Sequence, residues 1–349
     1  MNFSAQLINW YQVHKRDLPW RNISDPYRIW ISEIILQQTR VNQGLDYYLR
    51  FVERFPNVEM LAAAEEDEVL KYWQGLGYYS RARNLHQAAR QIIQDFGGVF
   101  PKTYPEVLRL KGVGTYTAAA ICSFAYNLPY AVVDGNVYRV LSRLFAIETP
   151  IDSHSGKKEF DSLAQQLIEN SAPSLHNQAL MEFGALQCVP VSPDCSVCPL
   201  RVFCKAYELK MVERLPVKSK KTPTKQRFFN YLVINFNQYI FLQKRTADDI
   251  WKNLYEFPLI ETDHLLTEAE LFENDFFQKL FQSIKEISIL QISKPVHHLL
   301  THRRITAQFI TLQIAKKSEA LKQFIEIPNT EIDDFAVSRL MELYLKNEF

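Results

Sequence analysis

Four of the five cysteines, Cys188, Cys195, Cys198 and Cys204, fall within 17 residues, separated by six, two and five residues. Four thiols that close together read as a metal site rather than as disulfides. A zinc ribbon usually shows two tight Cys-x-x-Cys pairs, whereas this segment has one. The wider, unequal spacing suits a [4Fe–4S] cluster, whose iron corners face different directions, with zinc as the alternative on spacing alone. Cys122 stands apart in an apolar segment and reads as core. Two carboxylates invite acid–base chemistry. Glu33, in Trp-Ile-Ser-Glu-Ile-Ile-Leu, is a lone acid among apolar neighbours; burial there would raise its pKa and keep a proton available near neutrality. Taken as an isolated helix, the segment would as readily expose Glu33 on a solvated face beside Gln37. Asp134 follows an apolar run and precedes Gly135-Asn136, where a carboxylate also serves simply as a helix cap.

The elements that must hold these groups are mostly helical. Asp25-Pro26 supplies an N-cap and a first-turn proline ahead of the segment bearing Glu33. Leu85, Ala89, Ile92, Ile93 and Phe96 recur at helical spacing up to Gly97-Gly98. Thr103 and Glu106 make a capping box for a short helix. It runs into Leu110-Lys111-Gly112-Val113-Gly114, then a second helix that begins Thr-Tyr-Thr. A dinucleotide fingerprint would need a preceding strand and a third glycine. Helix, Gly-Val-Gly turn, helix is instead a helix–hairpin–helix. Its backbone N–H groups at Lys111, Gly112, Val113 and Gly114 grip a DNA phosphate without reading sequence; an incidental loop between packed helices is the alternative.

Composition is that of an ordinary globular protein, with 47% apolar and 23% charged residues among 349. No apolar run approaches a membrane span, and the N-terminal stretch lacks a signal peptide's h-region. A cytoplasmic protein follows, nucleoid-associated in a prokaryote. The net charge of +1 hides an asymmetry: residues 1–227 carry 27 Lys and Arg against 22 Asp and Glu, the remainder 13 against 17. The first part therefore suits a polyanion better than the second. Residues 214–227 hold six basic residues, no acid and two prolines, which reads as an exposed linker. Beyond it the texture turns to strands, with a hairpin at Asn237-Gln238 and a helical stretch after Leu265. Three segments follow: an all-α domain over 1–213, a basic linker over 214–227 and an α+β domain over 228–349.

A helix–hairpin–helix, then the aspartate, then four cysteines, in this order, resembles the endonuclease III-like DNA glycosylases. Within them the chain is similar to the MutY-type adenine DNA glycosylases. Leu-Pro-Trp-Arg, Gly-Leu-Gly-Tyr-Tyr-Ser-Arg-Ala-Arg, Val-Asp-Gly-Asn-Val-Tyr-Arg and Met-Glu-Phe-Gly-Ala-Leu-Gln-Cys carry the likeness along most of the chain. The resemblance implies an N-terminal all-α helix–hairpin–helix glycosylase domain with a [4Fe–4S] cluster loop, plus a C-terminal α+β Nudix-like domain. It implies a monomer acting on double-stranded DNA that contains A:8-oxo-guanine or A:G mispairs. Glu33 becomes the general acid at adenine N7 and then helps to activate water. Asp134 stabilises the oxocarbenium-like sugar or bonds to it, the two-carboxylate logic of a glycosidase. Asn136 and Tyr116 hold these groups. Relatives that also cut the strand carry a lysine where this chain has Tyr116, and tyrosine offers no amine for a Schiff base.

The same resemblance makes Gln38, Leu76 and Tyr78 the residues that wedge into the duplex while the target base is flipped out. Trp20, Arg21 and Gln178 line the adenine pocket, though Trp20 and Leu76 read equally as core. Arg81 and Arg83 are phosphate contacts or a solvated face. The Nudix-like domain lacks an Arg-Glu-x-x-Glu-Glu run, which argues against Nudix hydrolysis, and is expected to read the damaged guanine. Its Leu300-Thr301-His302 stands where family members often carry Phe-Ser-His, leaving Thr301 and His302 as hydrogen-bonding candidates. Two other readings differ in their residue requirements. A glycosylase/lyase is opposed by Tyr116, and a non-catalytic damage-binding protein is opposed by the presence of both carboxylates.

Overall fold

The computed structural model describes residues 3–168, 172–219, 224–284, 286–300 and 302–346. The chain folds as two compact units, one of residues 1–63 and 84–220, the other of residues 64–83 and 221–349.

The first unit is helical. It contains α1 (Phe3–His14), α2 (Pro26–Leu36), α3 (Val41–Arg54) and α4 (Val58–Ala63). After a segment belonging to the second unit, which holds α5 (Glu66–Trp73) and the start of α6 (Ser80–Phe96), it resumes along α6. Then come α7 (Tyr104–Leu108), α8 (Thr115–Tyr126), α9 (Gly135–Phe145), α10 (His154–Ile168), α11 (Pro173–Leu186) and α12 (Lys205–Glu208). Local chemistry sets the boundaries. The Asp25 carboxylate accepts from Tyr27 N–H and Arg28 N–H at the start of α2, and α6 stops at Gly97 and Gly98, both with positive φ. One core joins Leu7 and Trp10 of α1 to Val140 and Leu144 of α9, Phe160 of α10 and Phe183 of α11. Cys188, Cys198 and Cys204 pack on the same core, so the cysteine loop is built onto the helices that frame Asp134.

The second unit is a mixed sheet covered on both faces. Its described strands are β1 (Lys225–Phe236), β2 (Tyr239–Lys244), β3 (Tyr255–Glu256), β4 (Leu259–Thr262), β5 (Ile287–Ile292), β6 (Val296–Leu299), β7 (Arg303–Ile314) and β8 (Ile325–Pro328). The main order is β3-β2-β1-β7-β5, with β4 on β1, β6 on β7 and β8 on β2. The central pair, β1 and β7, is parallel. Burial alternates with the pleat: Phe229, Tyr231 and Val233 face one core with α15 (Arg339–Leu345), and Leu232 and Ile234 face another. That second core is closed by α13 (Glu268–Glu273) and α14 (Asp275–Phe281). Burial on both faces explains why these strands read as near-continuous apolar runs.

Two boundaries differ from the sequence reading. Lys225, Gln226 and Arg227, assigned there to the linker, open β1. Arg227 is drawn in by Asp249 at 2.6 Å and by Glu261 at 2.5 Å and 2.7 Å. Residues 64–83, assigned to the helical domain, belong to the second unit. There Asp67 takes Lys244 at 2.5 Å and the Tyr255 hydroxyl at 2.7 Å, and the Tyr79 hydroxyl donates to the Val337 carbonyl at 3.1 Å. A helical pattern records that a face is buried, not which sheet or helix buries it.

Candidate active site and cysteine cavity

Glu33 is 7% exposed because α2 is buried on nearly every face, at Tyr27 and from Ile29 through Ile35. Across from it, the Tyr116 hydroxyl in the first turn of α8 donates to Glu33 Oε2 at 2.8 Å. Burial pushes the Glu33 carboxyl up to about 7, against the Tyr116 hydrogen bond and the Arg21 charge, which pull it down. Nearby Asp134 adds to the upward push. Burial, with Glu33 beside it, also holds the Tyr116 phenol well above its ordinary range, so it remains a donor.

Asp134 is both a cap and a site residue. Its Oδ1 accepts Asn136 N–H at 2.9 Å and Val137 N–H at 2.8 Å, which starts α9. Its Oδ2 accepts from Asn136 Nδ2 at 2.8 Å. Burial raises this carboxyl, while the Val137 N–H and both Asn136 donors pull it back. Glu33, Tyr116, Asp134, Asn136, Trp20, Arg21 and Gln178 all line one cavity of the first unit. The structure thus brings together every residue assigned above to acid–base chemistry or to the base pocket. Trp20 is also core, meeting Tyr48 edge to face at 5.0 Å.

Other residues of this site escaped the sequence reading. Glu182 lines the cavity, is 1% exposed, and takes Arg16 Nε at 2.7 Å, Arg16 Nη2 at 2.8 Å and Arg21 Nη2 at 3.3 Å. Arg21 Nη1 and the Tyr11 hydroxyl both donate to Gln178 Oε1, each at 3.0 Å. This network fixes the plane of Arg21. Gly184 on α11 allows the close approach of α9, since a Cβ there would stand 2.7 Å from Asn136 Cβ and 2.8 Å from its carbonyl. Arg139 is buried and ties three backbones together: Nε donates to Cys188 O at 2.7 Å, Nη2 to Gly184 O at 2.6 Å, and Nη1 to Gly135 O at 3.3 Å. Its Nη2 also donates to Asn136 Oδ1 at 2.9 Å, which turns the Asn136 NH2 toward Asp134. The only prior signal was helical spacing from Asn136, i to i+3.

All four cysteines line one further cavity of this unit, with Arg143 and Arg201. Arg143 is 2% exposed, and its Nη1 reaches Cys188 Sγ at 3.4 Å and Val189 O at 2.8 Å. Its Nη2 donates to Pro190 O at 3.0 Å. Free thiols around a hollow, beside buried guanidinium charge, fit an anionic thiolate-bound group. Among the described residues no three or more His, Cys, Asp or Glu are arranged around a single-ion position.

The hairpin between α7 and α8 exposes Lys111, Gly112 and Gly114 and buries Val113. Gly112 has φ +76°, and a Cβ there would lie 2.5 Å from Asn84 Cβ, so only glycine fits. Gly114 starts α8 without a side-chain cap, leaving first-turn N–H groups for an anion. Gln38 is exposed in the first unit with φ +56°. In the second unit, Tyr78 is 47% exposed, and Leu76 is 7% exposed and lines a cavity shared with His302. His302 is exposed, while Thr301 lies outside the described residues. Arg81 and Arg83 are not a solvated pair. Arg81 is 9% exposed over the Trp73 ring at 5.2 Å, and Arg83 donates to Lys252 O at 2.8 Å.

Residues 31–169 match the HhH-GPD superfamily base excision DNA repair proteins, and residues 230–347 match the NUDIX domain. The adenine DNA glycosylase of Buchnera aphidicola subsp. Baizongia pistaciae (strain Bp) is 38% identical over 323 residues, covering 90% of this chain and 87% of its own. The adenine DNA glycosylase of Mus musculus is 44% identical over 215 residues, 59% of this chain and 42% of its own. A thermostable thymine-DNA glycosylase of known structure aligns with TM-score 0.55 at 32% identity, over 59% of this chain and 95% of its own. The chain belongs to the adenine DNA glycosylase family.

Proposed function

We propose that this enzyme removes adenine mispaired with 8-oxo-guanine or guanine in double-stranded DNA, hydrolysing the N-glycosidic bond and leaving the backbone intact. The observation that carries this reading is the buried Glu33–Tyr116 pair facing Asp134 in one cavity. Tyr116 occupies Glu33 Oε2, so the acid proton sits on the other oxygen. Transfer of that proton to adenine N7 weakens the bond from N9 to C1′, and the base departs neutral. The sugar is left cationic, and the Asp134 carboxylate offsets its charge. Water then attacks C1′ and gives a proton to the Glu33 carboxylate, which restores the acid. Trp20, Arg21 and Gln178 hold the flipped base during these steps.

The helix–hairpin–helix at Lys111, Gly112, Val113 and Gly114 grips a phosphate; Gln38 in the first unit and, separately, Leu76 and Tyr78 in the second are the candidate residues for wedging into the duplex. The second unit reads the oxidised guanine, with Thr301 and His302 as candidate hydrogen-bonding groups. Cys188, Cys195, Cys198 and Cys204 would hold a [4Fe–4S] cluster. Such a cluster supplies a covalent staple for the loop whose Cys188 carbonyl anchors Arg139. Purified protein is expected to be brown and to contain about four iron and four sulfide per chain. Colourless protein with one zinc per chain would overturn the assignment.

The decisive assay is single-turnover adenine release from A:8-oxo-guanine and A:G duplexes, with and without alkali. Strand breaks are expected only after alkali, because no amine replaces Tyr116. Breaks before alkali would indicate a lyase, and duplex binding without base release would indicate a damage-binding protein.

A further inference from the structure

Helices α2 and α5 end in the same kind of turn, built from different residues. After α5, Gln74 has φ −55° and ψ 129°, Gly75 has φ 95°, and Leu76 N–H donates to Trp73 O at 3.1 Å. This is a type II turn with glycine where the chain needs a positive φ. After α2, Gln37 has φ −57° and ψ 114°, Gln38 has φ 56°, and Thr39 N–H donates to Leu36 O at 3.2 Å. The backbone follows the same course, yet the glycine position carries glutamine, at a steric cost that Gly75 avoids. Gln38 is exposed, while Leu36 and Thr39, the two ends of its turn, line the catalytic cavity.

A strained turn persists where its surroundings fix it. Gly44 of α3 packs against this one: a Cβ there would stand 2.9 Å from Leu36 Cδ2 and 3.7 Å from Thr39 Cγ2. From α8, Thr117 Oγ1 accepts Gln37 Nε2 at 3.2 Å. Thr117 is 2% exposed, and the helix itself does not call for a hydroxyl there, since Ala118, Ala119 and Ala120 follow it in the same buried stretch. Its neighbour Tyr116 makes a second side-chain bond to the α2 segment, at Glu33, four residues before Gln37. Positions four apart on a helix share a face. The two segments are therefore joined by adjacent bonds, one at the acid and one at the turn.

We propose that Gln37 and Thr117 are positioning residues: their hydrogen bond holds the strained turn in the form that presents Gln38 to the duplex, and ties it to the helix that carries Tyr116. This rests on the reading of Gln38 as a wedge beside the flipped adenine. Thr117→Val keeps the shape of the side chain and removes the acceptor. The test uses the full chain and two measurements. One is single-turnover adenine release from an A:8-oxo-guanine duplex. The other, for flipping, is the fluorescence of 2-aminopurine placed beside an uncleavable 2′-fluoro adenine nucleotide. Thr117→Val is expected to lower the release rate about fivefold, the worth of one hydrogen bond, and to reduce the fluorescence rise. Thr117→Ser should keep both near wild type. In a Gln38→Ala background the Thr117→Val change should have no further effect, because the pair acts through Gln38. A drop that persists there, or no drop in folded Thr117→Val, overturns the inference. If Thr117→Val does not fold, by thermal melt, Gln37→Met takes its place in the same comparison, with the same outcomes. Gln38→Ala alone separates the two levels. If it lowers rate and fluorescence while Thr117→Val lowers neither, only the positioning pair falls. If it leaves both at wild type, the wedge reading of Gln38 falls, and the pair with it.

Discussion

Glu33→Gln is expected to bind an A:8-oxo-guanine duplex and to release no measurable adenine. The amide has the shape of the carboxyl, and its oxygen can still accept the Tyr116 hydroxyl, now 2.8 Å from Oε2. Binding and fold are therefore kept. What disappears is the proton that lets adenine leave neutral, and with it the base that later takes a proton from water. A positioned acid alone contributes about 10²- to 10⁴-fold, and here one residue serves both half-reactions. The wild type should carry the same group in its pH profile. Burial holds the Glu33 carboxyl up at about 7, so the competent acid form dominates below that pH and is depleted above it. The single-turnover rate of the wild type should fall about tenfold per pH unit on the alkaline side. Excision at the wild-type rate by the amide variant, or a flat wild-type rate from about pH 6 to pH 9, would remove Glu33 from this role.

How much of this could be read beforehand varies with the kind of residue. The cysteine spacing, the Gly-Val-Gly turn and the Asp25-Pro26 cap are local codes, and local codes survive without coordinates. The state of Glu33 is not local. A carboxylate flanked by isoleucines is solvated on an amphipathic helix and buried on one enclosed all round, and only α3 and α8 packing on α2 distinguishes the two cases. The α5 segment failed for the same reason: its periodicity is helical whichever unit covers it. Arg139, Glu182 and Gly184 escaped because their roles depend on approaches between segments distant in the sequence. Arg139 lies 49 residues from the Cys188 carbonyl it binds.

Asp134→Asn should separate capping from chemistry at one position. Asparagine caps helices about as well as aspartate, so the α9 start would be retained. The amide cannot, however, replace both carboxylate oxygens. Asn136 and Val137 N–H groups need an acceptor at Oδ1, and Asn136 Nδ2 needs one at Oδ2. Arg139 holds Asn136 Oδ1 at 2.9 Å, so the Asn136 amide cannot turn to accept instead without breaking that bond. One hydrogen bond is lost, which costs about 1 kcal/mol of stability and should lower the melting temperature by a few degrees. Excision should fall much further, by about 10³-fold, because a fixed negative charge beside the developing sugar cation is gone from a buried site. The alkaline limb set by Glu33 should remain, since Asp134 contributes only a minor part of the upward push on that carboxyl. The measurements are a thermal melt and single-turnover release on an A:8-oxo-guanine duplex across pH. A variant that loses several kcal/mol but excises within about tenfold of wild type would mean that Asp134 is a cap and no more, and the cation would need its counter-charge from elsewhere in the cavity.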